Sequence, residues 1–263
     1  MFMSKKIIIG NWKMNPSSLM QAEDLFKSIQ KNIFSKIKTD IIICPPNIYL
    51  PSFAKTLAGK EKLKKIFLGA QNVSYEEKGA YTGEISVEML KDIGVKYVII
   101  GHSERRSPPT GGGENNSDIN KKIKMVLSFN LIPILCIGEK ERDKSHEYLN
   151  FIKKQIEECL KNVAKSFISK IIIAYEPIWA IGKASVREAS PEEFREMSIF
   201  IRKILSDKFG AKSIKKIKII YGGSVNSRNV SDFLKEGGAD GFLVGRNSLD
   251  PKKFGEIIEV CEA

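Results

Sequence analysis

Between Lys170 and Ser185 the chain reads KIIIAYEPIWAIGKAS, and a glutamate, Glu176, stands where an apolar run ends. A run as apolar as Ile171–Ala174 fits a strand covered on both faces, as in a parallel sheet. A carboxylate at its tip is then either a solvated accident or a working group. Other chemically competent residues follow other apolar runs in the same way. Asn11 and Lys13 come after the first, His102, Ser103 and Glu104 after the fourth, Gly222, Gly223 and Ser224 after the seventh, and Gly245 and Arg246 after the eighth. A glutamate and a histidine can move protons. A lysine and an asparagine can stabilise developing negative charge. Glycine-rich turns expose backbone N–H groups to an anion, and a short helix near Asn247–Leu249 would add its positive end. No Walker-type lysine loop and no metal-ligand cluster is evident, so a phosphate on a small substrate is expected rather than a nucleotide. Ser103 next to His102 is not a hydrolase pair, because sequence neighbours rarely reach that geometry and no G-x-S-x-G is present.

Each piece alone has a plainer reading. Lys13 is one of 35 lysines, and a surface lysine is usually just solvated. A lone histidine is more often a satisfied polar residue than a catalyst, which is the reading for His146 in EKERDKSHEY. GGS after a strand can be only a tight turn. What changes the weight is a fold that brings the pieces together.

Eight short apolar, β-branched runs supply that fold: Ile7–Gly10, Ile41–Cys44, Ile66–Ala70, Tyr97–Gly101, Ile132–Ile137, Ile171–Ala174, Ile217–Tyr221 and Gly241–Gly245. They recur about every 33 residues and are separated mostly by amphipathic helical patterns. Over Ser18–Phe34, for example, Leu19, Ala22, Phe26, Ile29 and Ile33 fall on one stripe. Ser190 and Pro191 suit the N-cap and first turn of a helix over EEFREMSIFIRKIL. Strand–helix alternation implies right-handed βαβ units, and eight of them predict an α/β fold, a (β/α)8 barrel in a single domain. In such a barrel every strand-to-helix loop meets at the C-terminal face, where sites are built. The alternative is an open doubly wound sheet, which calls for a phosphate loop after the first strand. The first strand runs instead into GNWKMN.

Composition narrows the class. At 263 residues and 42% hydrophobic, the chain can build a large core. No apolar stretch approaches the eighteen residues of a membrane span, and MFMSKKIIIGNWKMN does not read as a signal peptide. Cys44, Cys136, Cys159 and Cys261 are far apart with no C-x-x-C, which predicts free thiols, a reducing cytoplasmic setting and no zinc site. The net charge of +12 comes from lysines scattered over nearly every helical segment, with only eight arginines. That distribution predicts a solvated surface, with no nucleic-acid or membrane partner.

These residues resemble triosephosphate isomerases along essentially the whole chain. The matching stretches, in order, are GNWKMN, CPP, GAQNVSYEEKGAYTGEIS, GHSERR, LCIGE, AYEPIWAIG, YGGSVN and DGFLVGRNSLD. The resemblance implies a TIM barrel that interconverts glyceraldehyde 3-phosphate and dihydroxyacetone phosphate through an enediolate, in glycolysis and gluconeogenesis, with no cofactor and no metal. It matches Glu176 to the general base, His102 to the electrophile at the carbonyl oxygens, Lys13 to the facing cation, Asn11 to its polar helper, and Glu104 to the partner of that lysine. It implies a lid over Pro177, Ile178, Trp179, Ala180, Ile181 and Gly182, with Tyr221 as its latch. The expected phosphate set is Asn11, Lys13, Gly182, Ser224, Gly245 and Arg246. The loop around Thr82 matches one that reaches a partner subunit, so a homodimer is implied.

Three departures qualify the resemblance. KASVREASPEE follows WAIG without a second glycine and runs about two residues longer before Pro191, which predicts a stiffer lid hinge. SPPTGGGENNSD after GHSERR is longer than the usual turn, with Glu114 as its candidate glutamate. Gly245 is followed by Arg246 where a second glycine is usual. Two other readings stand beside the isomerase: a barrel enzyme for another phosphorylated compound, and a catalytically weakened barrel serving as a binding protein.

Overall fold

The structure, a computed structural model, describes residues 5–32, 37–60, 63–108, 111–181 and 187–263. Among these, eight strands pair in parallel and in sequence order to close a barrel: β1 (Ile7–Asn11), β2 (Asp40–Cys44), β3 (Ile66–Ala70), β4 (Tyr97–Ile100), β5 (Ile132–Ile137), β6 (Ile172–Tyr175), β7 (Lys218–Tyr221) and β8 (Gly241–Val244). Closure is made by β1 against β8, with Ile7 opposite Gly241 and Gly10 opposite Val244. The open-sheet alternative is thereby excluded.

Apart from Asn11, Asp40 and Lys218 at strand ends, the strands are largely apolar because both of their faces are covered. Ile7, Ile9, Ile42 and Ile99 point into the barrel with Cys44 and Cys136. Ile8, Ile41, Ile43 and Val98 point outward into the layer beneath the helices. Burying each such isoleucine contributes about 1.5–3 kcal/mol. Gly69 on β3 shows how full the interior is, since a Cβ there would overlap the Cys44 sulfur and come within 2.9 Å of Ile42.

Ten helices are described around the barrel. Helix α1 (Leu19–Asn32) buries Ala22, Phe26 and Ile29 as its stripe predicts, but Leu19 is exposed. Its position in the first turn lets it clear the barrel, and Ile33 and Phe34 lie outside the described residues. Helices α2 (Leu50–Leu57), α3 (Val87–Asp92), α4 (Ser103–Arg106), α5 (Asn116–Ser128) and α6 (Glu147–Cys159) follow. Helix α7 (Pro191–Phe209) opens with a capping box, in which Ser190 accepts from the Glu193 N–H and the Glu193 carboxylate accepts from the Ser190 N–H. Then come α8 (Ala211–Ile214), α9 (Val230–Lys235) and α10 (Pro251–Glu262). Glu262 at the end of α10 accepts from the N–H groups of Lys38 and Thr39 at 2.8 and 2.7 Å, tying the last helix to the entry of β2. No helix among the described residues is long and apolar enough to cross a membrane.

Candidate active site

The C-terminal ends of the strands carry the polar residues into one cavity of about 490 Å3. Asn11, Lys13, His102, Glu104, Glu176, Ser224, Gly245 and Arg246 all line it. Asn11 is the last residue of β1 and is buried. Its Oδ1 accepts from the Lys13 N–H at 3.0 Å, holding Lys13 in the left-handed region at φ 54°. That turn sends the Lys13 side chain into the cavity, where its ammonium pairs with Glu104. Gln71, which sequence reasoning passed over although it sits in GAQNVSY, donates to the carbonyls of Lys13 and Cys44 at 2.8 and 2.9 Å.

His102 is the N-cap of α4, and its Nδ1 accepts from the Glu104 N–H at 3.2 Å. A ring that accepts at Nδ1 carries its proton on Nε2 when neutral. That nitrogen lies 3.4 Å from Glu176 Oε1. The helix terminus therefore fixes the tautomer and aims an N–H donor at the cavity.

Glu176 follows β6 directly, its N–H donating to the Ile137 carbonyl at 2.7 Å. Its side chain is only 3% exposed, with Oε2 accepting from the Ser103 N–H at 3.2 Å. Glycines make room for it. A Cβ on Gly138 would overlap the Glu176 carbonyl, and one on Gly222 would sit 2.9 Å from Glu176 Cγ. Cys136 lies beneath it inside the barrel, where burial, and then the Glu176 charge, push the thiol well above its ordinary value. The thiol stays protonated and can donate to the carboxylate. Cysteine in LCIGE reads as a small buried hydrophobe in sequence, which is why this contact was missed.

Past Glu176 the chain makes one 3-10 turn over Ile178–Ala180. Glu139, 1% exposed, organises it. Its Oε1 accepts from Trp179 Nε1 at 2.8 Å and from the Tyr175 hydroxyl at 2.7 Å, and its carbonyl accepts from the Ile178 N–H at 2.9 Å. The guanidiniums of Arg142 and Arg187 lie 5.5 and 4.5 Å from the Trp179 ring, and Arg187 also pairs with Glu193 of the α7 capping box. Arg187 and Glu188 belong to the longer KASVREAS segment, and Glu188 lines the cavity. Gly182 and the hinge residues up to Val186 lie outside the described residues.

At the other side of the cavity, Ser224 Oγ donates to the Ala180 carbonyl at 3.1 Å. Gly245 opens the 3-10 turn Arg246–Leu249, and its carbonyl accepts from both the N–H and the hydroxyl of Ser248. Tyr221 is buried against Phe233 and Phe194. A second opening of about 430 Å3 shares Asn11, Lys13, His102 and Glu104 and extends to Met14 and Gly83–Ile85. Thr82 stands exposed on the loop between β3 and α3. Glu114 accepts from Arg105 and, at 2.7 Å, from Lys122, so the lengthened turn after Arg106 still returns a glutamate to a buried ion pair. Burial pushes the Glu114 carboxyl up, but Lys122 and Arg105 outweigh it and hold it below the ordinary value. Among the described residues no group of three or more His, Cys, Asp or Glu is placed to hold a metal.

Known proteins match this arrangement over its whole length. The family model described as triosephosphate isomerase matches residues 6–261. A triosephosphate isomerase of Dictyoglomus thermophilum is 44% identical over 261 residues, covering 98% of this chain and 100% of the relative. One from Alkaliphilus oremlandii is 42% identical, covering 97% and 99%. One from Wigglesworthia glossinidia brevipalpis is 42% identical, covering 98% and 97%. With the barrel closed and these polar groups gathered at its C-terminal end, the chain belongs to the triosephosphate isomerase family.

Proposed function

We propose that the protein interconverts glyceraldehyde 3-phosphate and dihydroxyacetone phosphate, as the printed names of its relatives suggest. Glu176 takes a proton from the carbon beside the substrate carbonyl, and the carbonyl oxygen becomes an enediolate oxygen. His102 Nε2–H and the Lys13 ammonium stabilise that oxygen, with Asn11 and Glu104 positioning the lysine. The adjoining hydroxyl gives up its proton and the enediolate oxygen gains one, with His102 Nε2 as the carrier, and Glu176 returns its own proton to the former carbonyl carbon, so aldose and ketose exchange with no net change in atoms. The reaction as drawn uses only the chain's own side chains. Charge stabilisation by fixed donors in a water-poor cavity is usually the largest catalytic contribution.

The observation that carries this reading is the tautomer of His102. Its Nδ1 is occupied by the Glu104 N–H, so a donor is aimed into the cavity beside an almost fully buried carboxylate. Ser224 and the backbone N–H groups at Gly245 and Arg246 supply the phosphate end, with Gly182 expected to join them. The Pro177–Ile181 segment begins the lid that keeps water from the enediolate, and Tyr221 latches it. Exposed Met14, 93% accessible beside the second opening, and the projecting Thr82 loop support a homodimer in which each loop enters the other subunit's opening. A role in glycolysis and gluconeogenesis in the cytoplasm follows from the same reading.

The test is isomerisation of glyceraldehyde 3-phosphate by the parent protein and by Glu176→Gln. Loss of a positioned base should lower kcat by about 10²–10⁴-fold with a smaller change in KM. A folded parent without activity, or a Glu176→Gln variant as fast as the parent, would overturn the assignment.

A further inference from the structure

The closed barrel sorts the chain's charge in a way that linear order hides. Because all eight strands are parallel, every helix-to-strand connection returns to one end of the barrel, opposite the active site. The described residues of those connections, with the two that precede β1, hold thirteen lysines and only two acids, Glu236 and Asp240. The strand-to-helix connections at the active-site end hold ten basic and eleven acidic residues among those described. The net charge of +12 is therefore almost entirely the charge of one end. It is not spread over the surface, as the sequence led one to expect, and it lies too far from the cavity to serve the substrate.

The lysines enter ahead of six different strands. Lys5 and Lys6 precede β1, Lys38 precedes β2, Lys65 β3, Lys96 β4, Lys170 β6 and Lys216 β7. Acidic groups at this end among the described residues include Asp40, Asp240 and the Glu262 carboxylate at the Lys38 N–H. Asp40 pairs with Lys5, and Asp240 pairs with Arg202 at 2.7 Å. Lys218 turns inward and donates to the Lys5 carbonyl. The Lys65 ammonium is held below its ordinary value, first by its contact with Lys5 and then by burial.

We propose that this end of the barrel docks on an anionic lipid surface through electrostatic attraction alone. Lysines arranged around a ring at one end of a barrel meet a plane all at once, whereas a single nucleic-acid strand crossing the ring meets only those along its path. Met14, Met20 and Ile48 are exposed at or near the active-site end, Phe151 and Ile199 lie along helices, and none of the exposed large apolar side chains among the described residues is in a helix-to-strand connection, so docking inserts none of them. The dimer contacts proposed above also lie at that end, which leaves this one uncovered. Attachment of this kind weakens steeply with salt, because exposed charges are screened beyond about 8–10 Å at physiological ionic strength.

The experiment is co-sedimentation of the full chain with vesicles of neutral lipid, and of neutral lipid mixed with phosphatidylserine, from low salt to 0.5 M. Binding to the mixed vesicles only, released by salt, is the expected result. Lysines near an anionic leaflet are each worth roughly fivefold, so Lys212→Gln/Lys215→Gln/Lys216→Gln should bind about a hundredfold more weakly. The matched variant Lys78→Gln/Lys140→Gln/Lys144→Gln, at the other end, should bind as the parent does. Isomerase activity, whose groups neither set touches, reports that each variant is folded. No binding at low salt, or equal loss in the two triple variants, overturns the proposal. Tighter binding to a single-stranded RNA homopolymer than to the vesicles at the same salt overturns it too, assigning the face to nucleic acid.

Discussion

Gly222→Ala tests whether the placement of Glu176, the proposed base, rather than its mere presence, sets the rate. An alanine Cβ at this position would stand 2.9 Å from Glu176 Cγ and 3.6 Å from Oε1, with the Tyr175 carbonyl at 3.4 Å. Ordinary contact begins near 3.4 Å, so the Glu176 side chain must retreat by about 0.5–1 Å, since backbone on the other side cannot give. Gly222 does not occupy the left-handed region, so the added methyl brings no backbone strain and the effect is steric. A displacement of about 1 Å at a reacting group costs on the order of 10²-fold. Steady-state assay of Gly222→Ala should show kcat lowered by about that factor, with KM within a few-fold and a loss of stability of about 1–3 kcal/mol. Glu176→Asp already withdraws the carboxylate, so the alanine should cost much less in that background than in the parent. A kcat within twofold of the parent, or full additivity of the two changes, would refute the reasoning.

Two further outcomes follow from the electrostatics. Glu114→Gln leaves Lys122, 6% exposed, without its anion, and should destabilise the protein by about 2–3 kcal/mol at pH 7. The folded carboxyl lies below the unfolded one, so its stabilisation is present above about pH 4.3 and fades as pH falls through the lower folded value. Melting curves of parent and variant should therefore converge as the pH falls below about 4.3, and a gap that stays constant would contradict the pairing. The thiols of Cys44, Cys136 and Cys159 are buried and pushed up by that burial, and Cys261 is pushed up to about 12. Iodoacetamide at pH 8 should label none of them rapidly in the native state and all four after unfolding, as read by intact mass. Rapid native labelling of Cys136 would remove it from its place beneath Glu176.

The architecture and the kinds of groups at the site were legible from the residues alone. Period and spacing of the β-branched runs encode strands buried on both faces, and eight of them at near-equal intervals close into a barrel. That closure puts Asn11, Lys13, His102 and Glu176 at one end whatever the helices do in detail. The Ser190 N-cap was equally legible, because it depends on neighbours in the chain, whereas its return bond from Glu193 came only with the structure. What the tertiary structure alone decided depends on residues far apart in the chain. The Lys13–Glu104 pair spans 91 positions and the Gln71 bridge to Lys13 spans 58, and no local pattern sets either distance. The direction of the His102 N–H follows from its place as the N-cap of α4. Glu139 reads as one more charge in IGEKERDKS, yet the fold buries it as the acceptor of both Trp179 and Tyr175. The lysines, too, look evenly spread along the chain. Only when the parallel strands close does every second connection reach the same end, because parallel pairing forces each helix to carry the chain back to where its strand began.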